Sequence, residues 1–574
     1  MRTKIRTLTY FLCITSFLFI EILYTQIQLP LPEHSKNGMV ASSSEIASRV
    51  GVEILKSGGN AVDAAIAVGF ALAVTHPSAG NIGGGGFMIV RLSNGETCVI
   101  DYRETAPKAA HRDMYLDENG NPNRDASVIG YKAAGVPGTV AGFELAHKKF
   151  GRLKWKSLLE PAYKLAKNGF PVSLNLSRQL MDSSNPIFKF AESRKIFHKL
   201  NGFYSEGEIL KQPELAKTLE RIKKYGAKDF YEGETAKLIV KDFQLNDGLI
   251  TFEDLKNYKP KIREPLVGSY RNYKIITMPP PSSGGIALIQ MLNILENFEL
   301  KNYEPNSSRK YHLLIESMKR AFFDRAKYLG DPDFIKIPVS GLTSKEYAHK
   351  LYLTIDTNKA LESKLVENFN PYLFESEETT HYTVVDKDGN VVVNTYTLNG
   401  SYGCGAVVKG AGFLLNNEMD DFTIKSGHPN IYGLIQGETN AIESGKRPLS
   451  SMTPTIVLKN ENLFLALGSP GGPTIINTVL QVIINVIDHG MNIQQAVNAP
   501  RIHHQWLPDI VYYENFGLAE DVRKSLEIKA HKLEIYSKKF PYIGDVQAIM
   551  IDSATNLRYG ASDFRNPDAK SIGY

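Results

Sequence analysis

Residues 379–400 read TTHYTVVDKDGNVVVNTYTLNG, and this stretch decides the fold that the sequence predicts. Two runs rich in strand-forming residues, His381–Val385 and Val391–Leu398, flank a short polar segment. That segment contains Asp388-Gly389, a dipeptide typical of tight hairpin turns. The stretch therefore predicts an antiparallel β-hairpin whose first strand begins at Thr379.

The length of the hairpin loop sets which threonines face each other. A two-residue loop places Thr379 opposite Leu398 and Thr380 opposite Thr397, whereas a three-residue loop places Thr379 directly opposite Thr397. Either register makes Thr379 and Thr397 neighbours. Threonine is a common strand residue, so strand propensity alone is the ordinary explanation for finding it here.

The segment before Thr379 gives this residue a chemical alternative. Residues 359–378 are polar and acidic, lack any regular periodicity and end in Glu375-Ser376-Glu377-Glu378, which predicts an exposed, flexible linker. Cleavage of the chain after Glu378 would free the α-amine of Thr379, and this amine can act as general base for the hydroxyl of the same residue. The Thr397 hydroxyl would orient Thr379 Oγ from across the hairpin.

Further hairpins and helices surround this stretch. The run Ala64–Val74 is apolar on all sides and predicts a helix buried between other layers. Residues 128–352 are mostly helical in pattern. Strand pairs around short turns predict an antiparallel-sheet core covered by helices. These pairs are 87–92 with 97–103 and 455–458 with 463–468.

Composition is that of a folded enzyme. The chain has 574 residues, of which 43% are hydrophobic and 22% charged, so a large buried core is expected. The net charge of +5 comes from basic residues scattered among acidic ones. This distribution lacks the basic face typical of nucleic-acid-binding proteins.

The N-terminus predicts export. Arg2, Lys4 and Arg6 precede the uncharged, mostly apolar run Leu8–Ile20, whose length suits the core of a signal peptide and is short for a bilayer span. Residues 1–26 are therefore interpreted as a signal peptide or a retained N-terminal anchor. The predicted location is the periplasm or the exterior.

Beyond that segment only Cys98 and Cys404 remain. They are far apart in sequence and carry no disulfide pattern, which favours two free thiols.

Four motifs in order resemble the γ-glutamyltransferase family of bacterial type. They are TTHYTVVD at 379–386, LNNEMDDF at 415–422, RPLSSMTP at 447–454 and GSPGG at 468–472. The resemblance extends from the first helix to Tyr574 and includes Asp101-Tyr102-Arg103-Glu104. Any one of these motifs alone is a weak signal, whereas four in order over nearly the whole chain are specific.

The resemblance implies a four-layer αββα sandwich of the N-terminal nucleophile hydrolases, with an additional helical lobe. It also implies one precursor that cuts itself before Thr379 into a large subunit (27–378) and a small catalytic subunit (379–574), which form a heterodimer around one core. Thr379 would attack the γ-carbonyl of glutathione or a related γ-glutamyl compound. The resulting ester would pass the γ-glutamyl group to water or to an amino acid or peptide acceptor.

The resemblance also assigns the remaining site residues. The amides of Gly471 and Gly472 would stabilise the oxyanion, at a position between a strand and an apolar helix that suits negative charge. Arg103 with Ser450 and Ser451 would hold the substrate α-carboxylate, and Asn399, Glu418 and Asp421 would receive its ammonium. Tyr432, in the segment 425–437, would close over the bound group as a lid. Each of these residues taken alone is also compatible with an ordinary structural role.

No cofactor is implied by the sequence. Gly83–Gly86 lacks the strand and spacing of a nucleotide-binding loop, so we interpret it as allowing close packing near the site. His503-His504 is not accompanied by further metal ligands in sequence, and we expect no metal.

Two further classes of function stay open at this point. A related acylase or a poly-γ-glutamate-processing enzyme would retain Thr379 and the oxyanion glycines but change the residues that hold the glutamyl group. A non-catalytic exported amino-acid-binding protein would remain an intact chain.

Overall fold

The computed structural model describes residues 30–374, 385–536 and 542–574. The predicted signal segment 1–26, Thr379 and most of the strand His381–Val385 lie outside these residues. Among the helices that are described, none has both the length and the apolar character needed to cross a membrane.

Strands and helices alternate in blocks along the described chain. The strands are β1 (Glu33–Ser35), β2 (Met39–Ser42), β3 (Gly85–Arg91), β4 (Thr97–Asp101), β5 (Phe170–Pro171), β6 (Ile209–Leu210), β7 (Lys261–Arg263), β8 (Leu266–Tyr270), β9 (Tyr273–Thr277), β10 (Val391–Thr397), β11 (Thr455–Lys459), β12 (Asn462–Gly468), β13 (Ile502–His503), β14 (Val511–Tyr513), β15 (Leu533–Ile535), β16 (Gln547–Ile551), β17 (Arg558–Ser562) and β18 (Lys570–Gly573).

The helices of the described residues are α1 (Glu45–Lys56), α2 (Ala61–Thr75), α3 (Arg124–Val128), α4 (Thr139–Phe150), α5 (Trp155–Asn168), α6 (Leu174–Met181), α7 (Ala191–Phe197), α8 (Pro213–Tyr225), α9 (Ala227–Glu232), α10 (Glu234–Leu245), α11 (Phe252–Asn257), α12 (Gly284–Leu295), α13 (Ser308–Tyr328), α14 (Val339–Thr343), α15 (Lys345–Tyr352), α16 (Thr474–Ile487), α17 (Ile493–Asn498) and α18 (Glu520–Ile528).

Two antiparallel sheets form the centre of the molecule. One has seven strands in the order β1-β17-β16-β12-β11-β9-β8, and the other has four in the order β10-β3-β4-β7. Strands β10 and β12 contact each other across the space between the sheets. Because β3 is buried along its whole length, the smaller sheet is covered on both faces.

Helices cover the outer face of each sheet. Helix α2 packs on β10 and is apolar on almost every side, as predicted. Asn60 and Asp63 form a capping box that begins this helix. Helices α12 and α16 pack on the larger sheet. Helix–sheet–sheet–helix layering confirms the predicted αββα sandwich, and α5 and α8 extend it as the additional helical lobe.

The hairpin loop at Asp386–Asn390 contains three residues between its paired ends. Val385 pairs with Val391, and the Asp386 amide donates to the Asn390 carbonyl oxygen at 2.9 Å. The two-residue loop is therefore wrong and the three-residue alternative is correct. The Asp386 carboxylate explains the longer loop, because its Oδ1 accepts hydrogen bonds from the amides of Asp388 and Asn390.

The predicted flexible linker at 359–378 is ordered over its described part. Two short 3₁₀ turns, Ser363–Leu365 and Pro371–Phe374, occur in it. Ser363 is buried, and its hydroxyl donates to Asp509 Oδ1 at 2.7 Å. Most other described residues of the segment are exposed, among them Leu365 at 62% and Leu373 at 76%, so the predicted exposure is confirmed apart from a few buried positions.

Candidate active site

The C-terminal end of β10 places Thr397 and Asn399 beside the glycine-rich segment. Thr397 pairs with Gly85, and a side chain at Gly84 would begin only 2.1 Å from the Thr397 carbonyl oxygen. The close approach predicted for Gly83–Gly86 is thus confirmed. The Asn399 amide donates to Thr397 Oγ1 at 2.8 Å, so the Thr397 hydroxyl is free to donate its own proton elsewhere.

Gly471 and Gly472 lie in the turn between β12 and α16. Their φ angles are +134° and +57°, in the region that favours glycine. Neither amide donates to any residue that the structure describes. The two N–H groups stand at the N-terminus of a 14-residue helix, where unpaired donors and the helix dipole both favour an anion.

Tyr432 connects the segment 425–437 to the C-terminal end of β10 and to the turn at Gly471 and Gly472. Its hydroxyl donates to the Asn399 carbonyl oxygen at 2.7 Å, and its ring packs on Gly472, where an added Cβ would lie 2.8 Å from the ring. Asp420 holds the same segment by accepting a hydrogen bond from the Ile431 amide at 2.9 Å. Tyr432 therefore covers the space between β10 and the glycine turn.

Arg103 lies just beyond β4 and is completely buried. Its Nη2 donates to Asp421 Oδ2 at 2.6 Å, and its Nη1 lies 2.7 Å from Glu418 Oε2. Burial opposes the charge on Arg103, but Glu418 and Asp421 outweigh this and raise its pKa above the ordinary value. We call Arg103, Glu104, Glu418 and Asp421 the carboxylate cluster.

The carboxylate cluster contains more negative than positive groups. Both carboxyl oxygens of Glu104 and of Glu418 are buried without a hydrogen-bond partner in the described chain. Burial raises the pKa of Glu104 to about 8 and that of Glu418 well above its ordinary value, although Arg103 opposes both shifts. The cluster is thus short of one or more positive charges, which a bound cation or protons would supply.

Ser450 and Ser451 lie in the segment that Arg103 anchors, because Arg103 Nε donates to the Pro448 carbonyl oxygen at 3.2 Å. Ser450 Oγ accepts a hydrogen bond from the Met452 amide at 3.1 Å. Ser451 Oγ accepts one from Arg325 Nη2 at 3.3 Å. Both side chains are buried beside the carboxylate cluster.

The chain matches the family model described as Gamma-glutamyltranspeptidase over residues 47–573. It is 50% identical over 544 residues to the glutathione hydrolase proenzyme of Escherichia coli (strain K12), covering 95% of this chain and 93% of that protein. The chain belongs to the γ-glutamyltranspeptidase family. Membership confirms the enzyme class and the family that the four motifs indicate.

Solved structures agree with this assignment. Cephalosporin acylase from Bacillus halodurans superposes with a TM-score of 0.84 at 28% identity, covering 95% of this chain and 98% of that one. γ-Glutamyltranspeptidase from Helicobacter pylori superposes with a TM-score of 0.58 at 47% identity, covering 58% of this chain and 97% of that one. Both share the fold predicted here.

The described residues that the sequence assigned to a γ-glutamyltranspeptidase site lie together. One group joins Thr397, Asn399, Tyr432 and Gly472, and another joins Arg103, Glu418, Asp421 and the serine segment. Asn399 Nδ2 links them by donating to the Asn417 carbonyl oxygen at 3.0 Å. Thr379 lies outside the described residues. The sequence assigned Arg103 to the substrate α-carboxylate. Its guanidinium also contacts two protein carboxylates, Glu418 and Asp421.

Arg325 and Gln436 belong to the same neighbourhood and were not found from the sequence. Arg325 Nη1 donates to Gln436 Oε1 at 3.2 Å, and Gln436 Nε2 donates to the Asp421 carbonyl oxygen at 3.0 Å. Arg325 lies on α13, more than 100 residues from both Gln436 and Ser451. The signal that could have indicated Arg325 is a charged residue on a largely buried helix.

One group in the described chain has the donor atoms for a metal, namely His312, Glu316 and His531. Glu316 already pairs with Lys319 at 3.1 Å and Arg320 at 2.9 Å. Burial lowers the pKa of His531 to about 2, so this environment opposes added positive charge. We assign no metal to it. The adjacent pair His503-His504 has protein partners, Asn477 for the first and Asp509 for the second.

Substitution of Gly472 is expected to impair the chemical step of this γ-glutamyltranspeptidase. Gly472→Ala would place a Cβ 2.8 Å from the Tyr432 ring at a φ of +57° and displace the amide. We expect kcat to fall by about 10²-fold with a smaller change in KM, as for loss of one oxyanion donor. Gly490→Ala is the matched control, since it has φ +63° and no atom within 4 Å of the added Cβ. An equal loss in both variants would contradict the assignment.

Proposed function

We propose that this enzyme cleaves the γ-glutamyl amide bond of glutathione and related compounds and transfers the γ-glutamyl group to water or to an amine acceptor. A γ-glutamyl group presents one α-carboxylate and one α-ammonium at the end remote from the reacting carbonyl. The observation that carries the proposal is the buried carboxylate cluster, which lacks positive charge and lies beside two serine hydroxyls. The names of the relatives, glutathione hydrolase proenzymes, agree with it.

The substrate ammonium would bind at Glu418, Asp421 and Asn399. Glu418 Oε1, which has no hydrogen-bond partner in the described chain, would then gain a charged donor. The α-carboxylate would accept hydrogen bonds from Ser450, Ser451 and Arg103. This arrangement would fix one end of the donor and direct its γ-carbonyl toward Gly471 and Gly472.

Thr379 would be the nucleophile, freed by self-cleavage after Glu378. The three-residue loop between Asp386 and Asn390 is the one for which the sequence predicts Thr379 opposite Thr397. The Thr379 amine would take the proton of its own hydroxyl as Oγ attacks the γ-carbonyl, and the amides of Gly471 and Gly472 would stabilise the oxyanion. The Thr379 ammonium would then give that proton to the leaving nitrogen, and collapse would expel the amine and leave a γ-glutamyl ester, which water or an acceptor amine then resolves.

The test of this proposal uses the full chain. A denaturing gel with mass analysis should give two fragments, 27–378 or longer and 379–574. A γ-glutamyl anilide should be hydrolysed, and a dipeptide acceptor should increase the rate of anilide release. An uncut chain without γ-glutamyl activity would refute the proposal and favour the non-catalytic binding protein.

The acylase alternative differs in what the site must hold. A cephalosporin-type acylase needs the nucleophile and oxyanion glycines but not a pair of sites for an ammonium and a carboxylate. Retention of Arg103, Asn399, Asp421, Ser450 and Ser451 favours the glutamyl donor. Activity toward a glutaryl anilide, which keeps the carboxylate but lacks the α-ammonium, equal to that toward the γ-glutamyl anilide would favour the acylase.

Export through the N-terminal segment and the association of the two fragments as a heterodimer complete the proposal. We place the enzyme in the periplasm or outside the cell, where its donor reaches it without crossing the cytoplasmic membrane. Fractionation of cells that express the full chain tests this location.

The KM for the γ-glutamyl donor should rise as pH falls. In the free enzyme Glu104, with a pKa of about 8, holds its proton at pH 7. A bound ammonium favours the carboxylate form, so binding below pH 8 releases a proton and low pH opposes it. KM should rise by up to about tenfold per pH unit below 8 for one linked proton. Glu104→Gln should flatten this dependence, and an unchanged profile in that variant would contradict the linkage.

A further inference from the structure

The strongest unexplained charge near the site belongs to Arg325. This side chain comes from the last turn of α13 and is 2% exposed. Its guanidinium forms no ion pair with any described residue, whereas Arg103 contacts two carboxylates within 2.7 Å. Asp421 contributes an attractive field from farther away, but burial dominates and lowers the pKa of Arg325 to about 10. A buried cation without a partner is costly unless something compensates it.

The hydrogen bonds of Arg325 lead to the two serines. Its Nε donates to Ser283 Oγ at 2.9 Å, and the Ser283 hydroxyl donates in turn to the Ser450 carbonyl oxygen at 2.6 Å. Its Nη2 donates to Ser451 Oγ at 3.3 Å, and its Nη1 reaches Gln436. All the acceptors are neutral. Arg325 therefore contacts the serine segment through neutral acceptors, and no carboxylate pairs with its charge.

These contacts determine which way the serine protons point. A hydroxyl has one proton to donate and can accept through its lone pairs. Ser451 Oγ accepts from Arg325 and Ser450 Oγ accepts from the Met452 amide. Neither hydroxyl donates to an acceptor in the described chain. Both protons are therefore available to a bound anion.

The geometry points to Arg325 as a positioning and specificity-determining residue that orients the Ser451 hydroxyl and supplies positive charge for the α-carboxylate of the γ-glutamyl donor. This inference rests on the proposed function. The two buried guanidinium groups, Arg103 and Arg325, then have different roles. Arg103 contacts the carboxylates that receive the ammonium and would also donate to the α-carboxylate, whereas Arg325 would act on the α-carboxylate only through Ser451.

The test compares two donors that differ only in the carboxyl group on the α-carbon. One is a γ-glutamyl anilide with a free α-carboxylate, and the other is the same compound with that carboxylate converted to a carboxamide. Arg325→Met should raise KM for the carboxylate donor by about 10- to 100-fold, the range for loss of a charge-assisted hydrogen bond, with a much smaller change in kcat. KM for the carboxamide donor should change little, so the preference for the free carboxylate should shrink.

Matched variants separate a specific role from general damage. Lys327→Met removes a positive charge two residues away on the exposed side of α13 and should leave the donor preference unchanged. Arg325→Lys should recover part of the preference because it keeps the charge. Arg325→Met combined with Ser451→Ala should cost less than the sum of the two single changes, because both act on one hydroxyl.

Ser283→Ala provides the same comparison if Arg325→Met does not yield processed enzyme. It removes the link from Arg325 to the Ser450 carbonyl and keeps the guanidinium, so it should also reduce the preference for the carboxylate donor. Equal losses toward both donors in every variant would overturn the inference while the wild-type enzyme remained active. Absence of γ-glutamyl activity in the wild-type enzyme would instead refute the proposed function.

Discussion

The Thr379→Ala variant is expected to remain one uncut polypeptide and to lose γ-glutamyl transfer by about 10⁴-fold or more, as when a nucleophile is removed from a hydrolase. The reason is that one residue supplies both the hydroxyl and, after cleavage, the α-amine that deprotonates it. Alanine would lack the hydroxyl that starts both reactions. A denaturing gel and the initial rate with a γ-glutamyl anilide measure the two effects separately.

Thr380→Ala is the matched control, since it removes a threonine hydroxyl one position later in the sequence. We expect it to be processed and to keep most of its activity. Normal cleavage together with full activity in Thr379→Ala would exclude Thr379 as the nucleophile. A greater effect in Thr380→Ala than in Thr379→Ala would move the site of cleavage by one residue.

Arg103→Ala is expected to have the second largest effect. Removal of the guanidinium would leave Glu418 and Asp421 buried without the cation that lies within 2.7 Å of each. Loss of one partner of a buried pair typically costs about 3–5 kcal/mol. We expect KM for the γ-glutamyl donor to rise by at least about 10²-fold, with a lower melting temperature. Steady-state kinetics and thermal unfolding of the processed enzyme measure the two effects.

A control for Arg103 comes from the neighbouring strand β7. Arg263 pairs with buried Asp101 at 2.6 Å but contacts no residue of the carboxylate cluster. Arg263→Ala should lower stability and leave KM nearly unchanged. An unchanged KM in Arg103→Ala would remove Arg103 from the substrate site.

Local signals predicted an antiparallel-sheet core covered by helices, and the family resemblance implied the four-layer sandwich. The all-apolar helix α2 and the hairpin of β3 and β4 are visible as patterns of hydrophobicity and turn residues. The loop after Asp386 was harder to predict, because the side-chain hydrogen bonds of Asp386 decide between two and three loop residues. The Asp388-Gly389 dipeptide indicates a tight turn but does not fix the number of residues in the loop.

The candidate site was predicted in part. The motifs supplied Arg103, Asn399, Glu418, Asp421 and the two serines, and the structure brings these residues together. Periodicity could not show that Glu418 and Asp421 would contact Arg103 directly. Arg325 was missed because its importance depends on contacts with Ser283, Gln436 and Ser451 from distant parts of the chain. The nucleophilic role of Thr379 stays a prediction.

Mass spectrometry of the enzyme trapped during turnover would identify both the site of cleavage and the residue that carries the γ-glutamyl group. We expect the active protein to contain a fragment that begins at residue 379 and carries one γ-glutamyl group on its first residue. An active protein that remains a single chain across the bond between Glu378 and Thr379, or a γ-glutamyl group on any other residue, would contradict this expectation.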